Sequence, residues 1–160
     1  MLNFIFTPFP NLETERLLIR QMESRDRDMI SDLRTNEQVL RFITGEHYPA
    51  NVDLFITKMN EATQKQQQLI MWTIALKDNT PIGTISLGFI SWKKGTAEVG
   101  CAMQLEYWSH GYMNEAAGAV MKYAFGVMKL KAICAYTHKD NLGSAKLLKK
   151  YGFILDEAVT

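Results

Sequence analysis

Cysteine is scarce in this chain, with only Cys101 and Cys134 among 160 residues. Two thiols make no disulfide framework, and reduced thiols in a cytoplasmic protein are the expectation. Histidine is nearly as rare, at three residues, and neither CxxC nor HExxH occurs. With no clustered ligand set, no structural or catalytic metal is expected. Charge of one sign is also missing. Lys and Arg number 18 against 17 Asp and Glu, a formal net charge of +1, so no electrostatic footprint points to nucleic acid or to an anionic membrane. Long hydrophobic runs are absent too. The opening "MLNFIFTPFP" is apolar but short, lacks a basic leader and is broken by Pro8 and Pro10. It reads as neither a signal peptide nor a spanning helix.

What is present is ordinary globular material, 47% hydrophobic and 22% charged, in a length that suits one domain with a real core. We take residues 1–11 as an N-terminal extension and 12–160 as the domain. No repeat, low-complexity run or linker divides it. Glu13–Met22 reads as a strand, and "SRDRDMISDLRTN" as a helix with Ser24 at its N-cap and Met29, Ile30 and Leu33 on one side. "RFITGEHYPA" reads as a loop and "VDLFITKMNEATQKQQQ" as a second helix. The period then changes. Leu69–Lys77, Ile82–Trp92 and Thr96–Leu105 are apolar, branched and separated by "DNTP" and "KKG", which predicts an antiparallel meander. A helix near Tyr112–Met128, a strand over Lys131–His138, a helix near Leu142–Tyr151 and a last strand in "FILDEAV" complete a mixed α/β order.

At the junction of the third meander strand and the following helix stands "EYWSHGYMNEAAGAVMKYAF". A helix start leaves backbone N–H groups without intrahelical partners and carries partial positive charge. Such an end binds phosphate when the preceding chain lets a ligand approach closely, and Gly111 permits that approach. His110 adds a donor, and a charge when protonated. Ala116, Ala117, Val120, Met121 and Ala124 form a stripe that lets the helix lie close on the sheet. On spacing alone, the plainer reading of a strand-to-helix turn with one glycine is favoured.

Glu98 sits inside the apolar strand "TAEVGCAM", where a carboxylate is unexpected unless paired or functional. Ala97, Val99 and Cys101 point to the opposite face, and desolvation at Glu98 would raise its pKa toward that of a general base. A half-exposed glutamate in a surface ion pair explains the residue equally well. In "KDNLGSAK", Asp140 or Asn141 caps the last helix. Cys101 and Cys134 read as buried small hydrophobes, and Trp72, Phe89 and Trp92 as core or pocket wall.

Together these stretches resemble the GNAT superfamily of N-acetyltransferases, in its RimJ/RimL branch. "EYWSHGYMNEA" is similar to the branch's "EYWGKGYATEA", "LETERLLIR" to its first strand, "TAEVG" to its fourth, and "DNLGSAKLLKKYGF" to "ENxxSxxxLEKLGF". The resemblance runs from about Leu12 to the C-terminus. It implies the GNAT fold, a largely antiparallel sheet flanked by helices, and acetyl-CoA as cosubstrate between the diverging fourth and fifth strands. It places the pyrophosphate on the loop Trp108, Ser109, His110, Gly111, Tyr112 and Met113. It gives Met103, Gln104 and Leu105 backbone contacts to pantetheine, and Asn141 a contact to the same arm. Glu98 becomes the base, often acting through water, and Ser144 the group that protonates the leaving thiolate. The acceptor it implies is a primary amine, of a protein N-terminus or a small molecule, attacking directly. Residues Phe42–Pro49 and the second helix would shape its pocket. A non-catalytic CoA-binding module of the same family is the alternative.

Departures from the pattern are specific. Ser109 replaces a frequent glycine, Met113 stands where Gly or Ala is usual, and Leu148 holds the position where other members carry a tyrosine. Tyr151 is out of register with that tyrosine. Thr160 follows Phe153 by seven residues, room for one strand where the branch has two. The expectation is that a homodimer partner, a rearranged edge or the N-terminal extension covers the open edge of the sheet.

Overall fold

The structure, a computed structural model, describes residues 5–41 and 51–156. The loop expected over 42–50 lies outside them. Six strands form one sheet in the order β1 (Leu12–Glu13), β2 (Leu17–Gln21), β3 (Ile70–Leu76), β4 (Pro81–Ser91), β5 (Thr96–Met103) and β6 (Ala132–Cys134). The first five pair antiparallel, and β6 joins β5 in parallel. The helices are α1 (Arg27–Thr35), α2 (Glu37–Leu40), α3 (Val52–Lys65), α4 (Tyr112–Gly126) and α5 (Leu142–Lys150). The mixed α/β class and the β3–β4–β5 meander stand as expected. Among the described residues no helix is long and apolar enough to cross a membrane.

The core has two parts, one on each face of the sheet. Ile70, Trp72 and Ile74 of β3 pack with Leu17, Ile19, Ala116, Ala117, Val120 and Ala124. Met71, between them, packs with Met22, Met29, Ile30, Leu33, Val39, Phe55 and Ile56. Period-2 alternation therefore sends successive β3 side chains to α4 on one face and to α1 and α3 on the other, so both faces are apolar. The N-terminal segment belongs to this core. Phe6 is fully buried, and the Trp72 indole donates to the Pro10 carbonyl at 2.7 Å.

Several expectations need correction. The first strand is a hairpin, because the Thr14 hydroxyl accepts the Leu17 amide at 3.1 Å and turns the chain between β1 and β2. Ser24 is not an N-cap. It lies in a 3-10 turn whose capping box joins Glu23 and Asp26. Phe89 is neither core nor wall. It has φ +46° where the β4–β5 register shifts between Gly88 and Ser91, and it stands 83% exposed. The strand expected over 131–138 stops at Cys134, after only three residue pairs with β5. Residues 153–156 form no strand, and 157–160 lie outside the description. The extension residues Phe6 and Pro10 bond to α3 and β3 rather than to β6, so no strand pairs with the outer side of β6 among the described residues.

Candidate active site

The short β5–β6 pairing builds the site. Thr96, Ala97 and Glu98 match Ala132, Ile133 and Cys134, and then the strands part. Into the gap opens a cleft of about 840 Å3. Val99 to Met103 line it from β5, Ala135 to Thr137 from beyond β6, and residues of α4 and α5 close it. That volume falls within the range of small-molecule and cofactor pockets.

The start of α4 faces this cleft. Gly111 is its N-cap, with φ +80° and no side chain capping the end. The first intrahelical bond runs from Glu115 N to Gly111 O at 3.1 Å. The amides of Tyr112, Met113 and Asn114 consequently have no acceptor among the described residues, as a free helix start requires. Ser109 also adopts a left-handed φ of +63°, a conformation that favours the glycine usual there. Met113, bulky for its position, packs its side chain against the core.

The hairpin between β1 and β2 braces the loop from outside. Arg16 donates to the His110 carbonyl at 3.0 Å and lies 4.5 Å over the Tyr112 ring. It also pairs with Glu115 at 3.4 Å, and the Thr14 hydroxyl donates to the same carboxylate at 2.9 Å. His110 stacks on Tyr112 with ring centroids 5.7 Å apart. Its Nδ1, 2.7 Å from the Trp108 carbonyl, must carry the proton, since a carbonyl only accepts.

Of the residues singled out in the sequence, the cleft brings together Met103, Trp108, Ser109, Gly111, Tyr112, Met113, Asn141 and Ser144. Gln104, Leu105, His110 and Glu98 are not in its lining. Gln104 turns toward α1, donating to Asp32 at 3.2 Å. The carbonyls of Met103, Gln104 and Leu105 accept from Trp108 Nε1, Tyr107 N and Trp108 N respectively. Asn141 caps α5, its Oδ1 accepting the Ser144 amide at 3.1 Å. Glu98 is half-buried in the last residue pair before the strands part, opposite Cys134. Strand alternation sets it on the α1–α3 face, since Ala97 and Val99 pack on the α4 side. Trp108 packs against both parts of the core and so marks where the two faces meet.

Both thiols are exposed, contrary to expectation: Cys101 lines the cleft, and Cys134 lies on β6, the edge strand of the sheet. Cys101 is open to the cleft and otherwise enclosed, and burial pushes its thiol up to about 11. Burial, with the nearby Glu98 charge, raises Cys134 as well. Asn114 carries no signal in the sequence that singles it out. Its Oδ1 is buried in the cleft wall without a hydrogen-bond partner. Tyr151 lines the cleft too and donates to the Asn114 carbonyl at 2.6 Å.

These features suit a long, anionic, partly amide-bearing ligand. The free amides offer donors to phosphate, and the orphaned Asn114 amide offers one more polar contact. No acidic side chain is among the described lining residues.

Residues 16–154 match the family described as Acetyltransferase (GNAT) domain. The chain belongs to the GNAT acetyltransferase family. An uncharacterized N-acetyltransferase, YoaA of Bacillus subtilis, is 32% identical over 148 residues, covering 91% of this chain and 83% of that protein. The solved GNAT-family acetyltransferase from Bacillus anthracis superposes with a TM-score of 0.76 at 27% identity, over 89% of this chain and 82% of that one. The spermidine N-acetyltransferase from Vibrio cholerae, solved with CoA and spermine, shares the fold with a TM-score of 0.78 at 19% identity, over 89% and 83% of the two chains. This GNAT protein is therefore an acyltransferase enzyme.

Proposed function

We propose that this GNAT enzyme transfers the acetyl group of acetyl-CoA to a primary amine. The observation that carries the reading is the split between β5 and β6 ending on the uncapped start of α4. The diphosphate of CoA rests on the amides of Tyr112, Met113 and Asn114, and its pantetheine arm lies along the parted edge of β5. Asn141 and Ser144 border the thioester end. His110 takes no part in gripping the ligand; it shapes the loop through Trp108 and Tyr112.

The amine approaches from the α1–α3 face. Its nitrogen attacks the thioester carbonyl carbon, the new C–N bond forms and the C–S bond breaks. Glu98 takes the amine proton through water, and the Ser144 hydroxyl gives its proton to the departing thiolate and is reprotonated from solvent. No enzyme nucleophile is needed, and both substrates are bound at once. A second copy of the chain covers the outer side of β6, the edge strand of the sheet, and the exposed Ile154 and Leu155 beyond α5 add apolar surface for it to bury.

Thiol release from acetyl-CoA over a panel of primary amines tests this. Turnover with at least one amine is expected, with Glu98→Gln shifting the pH profile and Ser144→Ala lowering kcat. Coenzyme A binding without thiol release on any amine would leave a binding module, the reading favoured by Glu98 standing outside the cleft lining.

A further inference from the structure

The loop before α4 holds two left-handed residues within three, Ser109 at φ +63° and Gly111 at φ +80°. Ser109, with a Cβ, is strained there and needs its surroundings to hold it in place. One side chain from outside the loop meets this segment at several points. Arg16, in the β1–β2 hairpin, donates to the His110 carbonyl at 3.0 Å, covers the Tyr112 ring and pairs with Glu115. It also packs on Gly111, where an added Cβ would come within 3.3 Å of Arg16 Nη2. Arg16 itself does not line the cleft.

The bond to His110 sets the direction of an amide. The His110–Gly111 peptide is trans, so its carbonyl and its N–H point in opposite directions. Pinning the carbonyl on Arg16 turns the Gly111 N–H away from the hairpin, and Gly111 borders the cleft. That N–H has no acceptor among the described residues, which makes it a fourth free donor beside Tyr112, Met113 and Asn114.

The ion pair manages charge. Glu115 is the acidic residue in the first turn of α4, next to those amides. A bare carboxylate there would repel a diphosphate. Arg16 neutralises it, and the Thr14 hydroxyl, donating at 2.9 Å, holds it on the hairpin side.

We propose, resting on the acetyl-CoA reading above, that Arg16 is a positioning residue for the cosubstrate. It sets the loop amides in their binding arrangement before acetyl-CoA arrives, and it screens Glu115 from the diphosphate. A loop that visits its competent arrangement less often binds more weakly in proportion, so Arg16 acts on affinity and not on the chemical step.

Calorimetry with coenzyme A at low and high salt tests it, with thermal melts to establish that each variant is folded. Arg16→Ala is expected to bind about tenfold more weakly than wild type, with the gap narrowing as salt rises. Arg16→Lys keeps the charge but not the planar fork, and should lose about threefold. Adding Glu115→Gln to Arg16→Ala should recover about threefold, because the unscreened charge is gone; a merely structural Arg16 predicts a further loss instead. Glu13→Ala, which breaks the pair with Lys77 on the same hairpin without touching the loop, should keep wild-type affinity. Wild-type affinity in both Arg16 variants, or a double variant weaker than Arg16→Ala, would overturn the positioning role and leave the acetyl-CoA reading standing. If Arg16→Ala does not fold, Arg16→Lys decides alone, a loss supporting the role and wild-type affinity overturning it. Absence of coenzyme A binding by the folded wild type would overturn both.

Discussion

The Tyr151 hydroxyl donates to the Asn114 carbonyl, and a Cβ placed on Gly118 would meet that same hydroxyl oxygen at 2.8 Å. One hydroxyl thus ties α5 to α4 and also forbids a side chain one turn along α4. In a helix, Gly→Ala ordinarily stabilises by about 1 kcal/mol. Here Gly118→Ala alone should cancel or reverse that gain by displacing the Tyr151 hydroxyl. Tyr151→Phe alone should cost about 1 kcal/mol for the lost bond. In the double variant the nearest ring atom is an ordinary contact at 3.6 Å, so the alanine should recover its benefit. Urea unfolding of the four proteins reads the coupling, and additive effects would contradict the geometry. Thiol release should survive Tyr151→Phe, because the hydroxyl proton is already committed to Asn114.

Ser109 holds φ +63°, where a Cβ is unfavourable. Replacing it by glycine removes that strain, less the extra entropy of a freer unfolded chain. Ser109→Gly is expected to raise stability by about 0.5–1 kcal/mol in denaturant titration. Ser109→Val, β-branched, should lower it.

Asp26 is completely buried and accepts Arg20 at 2.8 and 2.9 Å, the Glu23 amide at 2.9 Å and the Thr73 hydroxyl at 2.9 Å. Burial by itself would raise its pKa, but these bonds and the Arg20 charge outweigh it and hold the carboxyl below 3.8. The native state therefore favours the ionised form. Its stabilising contribution is full above pH 3.8 and is lost as pH falls through the lower native value. Asp26→Asn should cost about 3–5 kcal/mol, since it strands Arg20, and should flatten the acid limb of the stability profile. Thermal melts between pH 2 and 7 measure both effects.

The thiols report on their surroundings. Cys101, pushed up to about 11, should react with iodoacetamide at pH 8 roughly tenfold more slowly than an unhindered thiol of pKa 9.0, because its smaller thiolate fraction is partly offset by higher nucleophilicity. Cys134 is raised by burial and then by the Glu98 charge. Glu98→Gln removes the second cause, so Cys134 should be alkylated faster in the variant. Peptide mapping over time distinguishes the two sites, and an unchanged Cys134 rate would mean the carboxylate does not sit near it as an anion.

What the sequence made legible is the part governed by local pattern. The meander strands fall within a few residues of their expected limits, and α4 begins at Tyr112 as its glycine punctuation indicates. Asn141 caps α5 as its residue type suggests. What stayed hidden depends on partners far along the chain. Nothing in "KAICAYTH" says that pairing ends at Cys134, because the parting of β5 and β6 is a property of two strands. Cys101 and Cys134 look like core residues until that parting exposes them. Ser24 lost the cap to Asp26 because Arg20 and Thr73, from two strands, converge on the aspartate. Tyr151, out of register with the familiar tyrosine, reaches the cleft because α5 lies across α4.

The parallel seam of three residue pairs has a mechanical corollary. Residues 128–156 meet the remaining sheet at Thr96–Glu98, with Met128 and Leu130 set in the core at their start and Tyr151 tied to Asn114, while α5 itself contains no buried residue. With so few ties, this carboxy-terminal leaf is expected to loosen first on heating, ahead of the five-strand body. A CoA molecule bound as proposed, against β5, α4 and α5 together, would act as a rivet that fastens this leaf to the body.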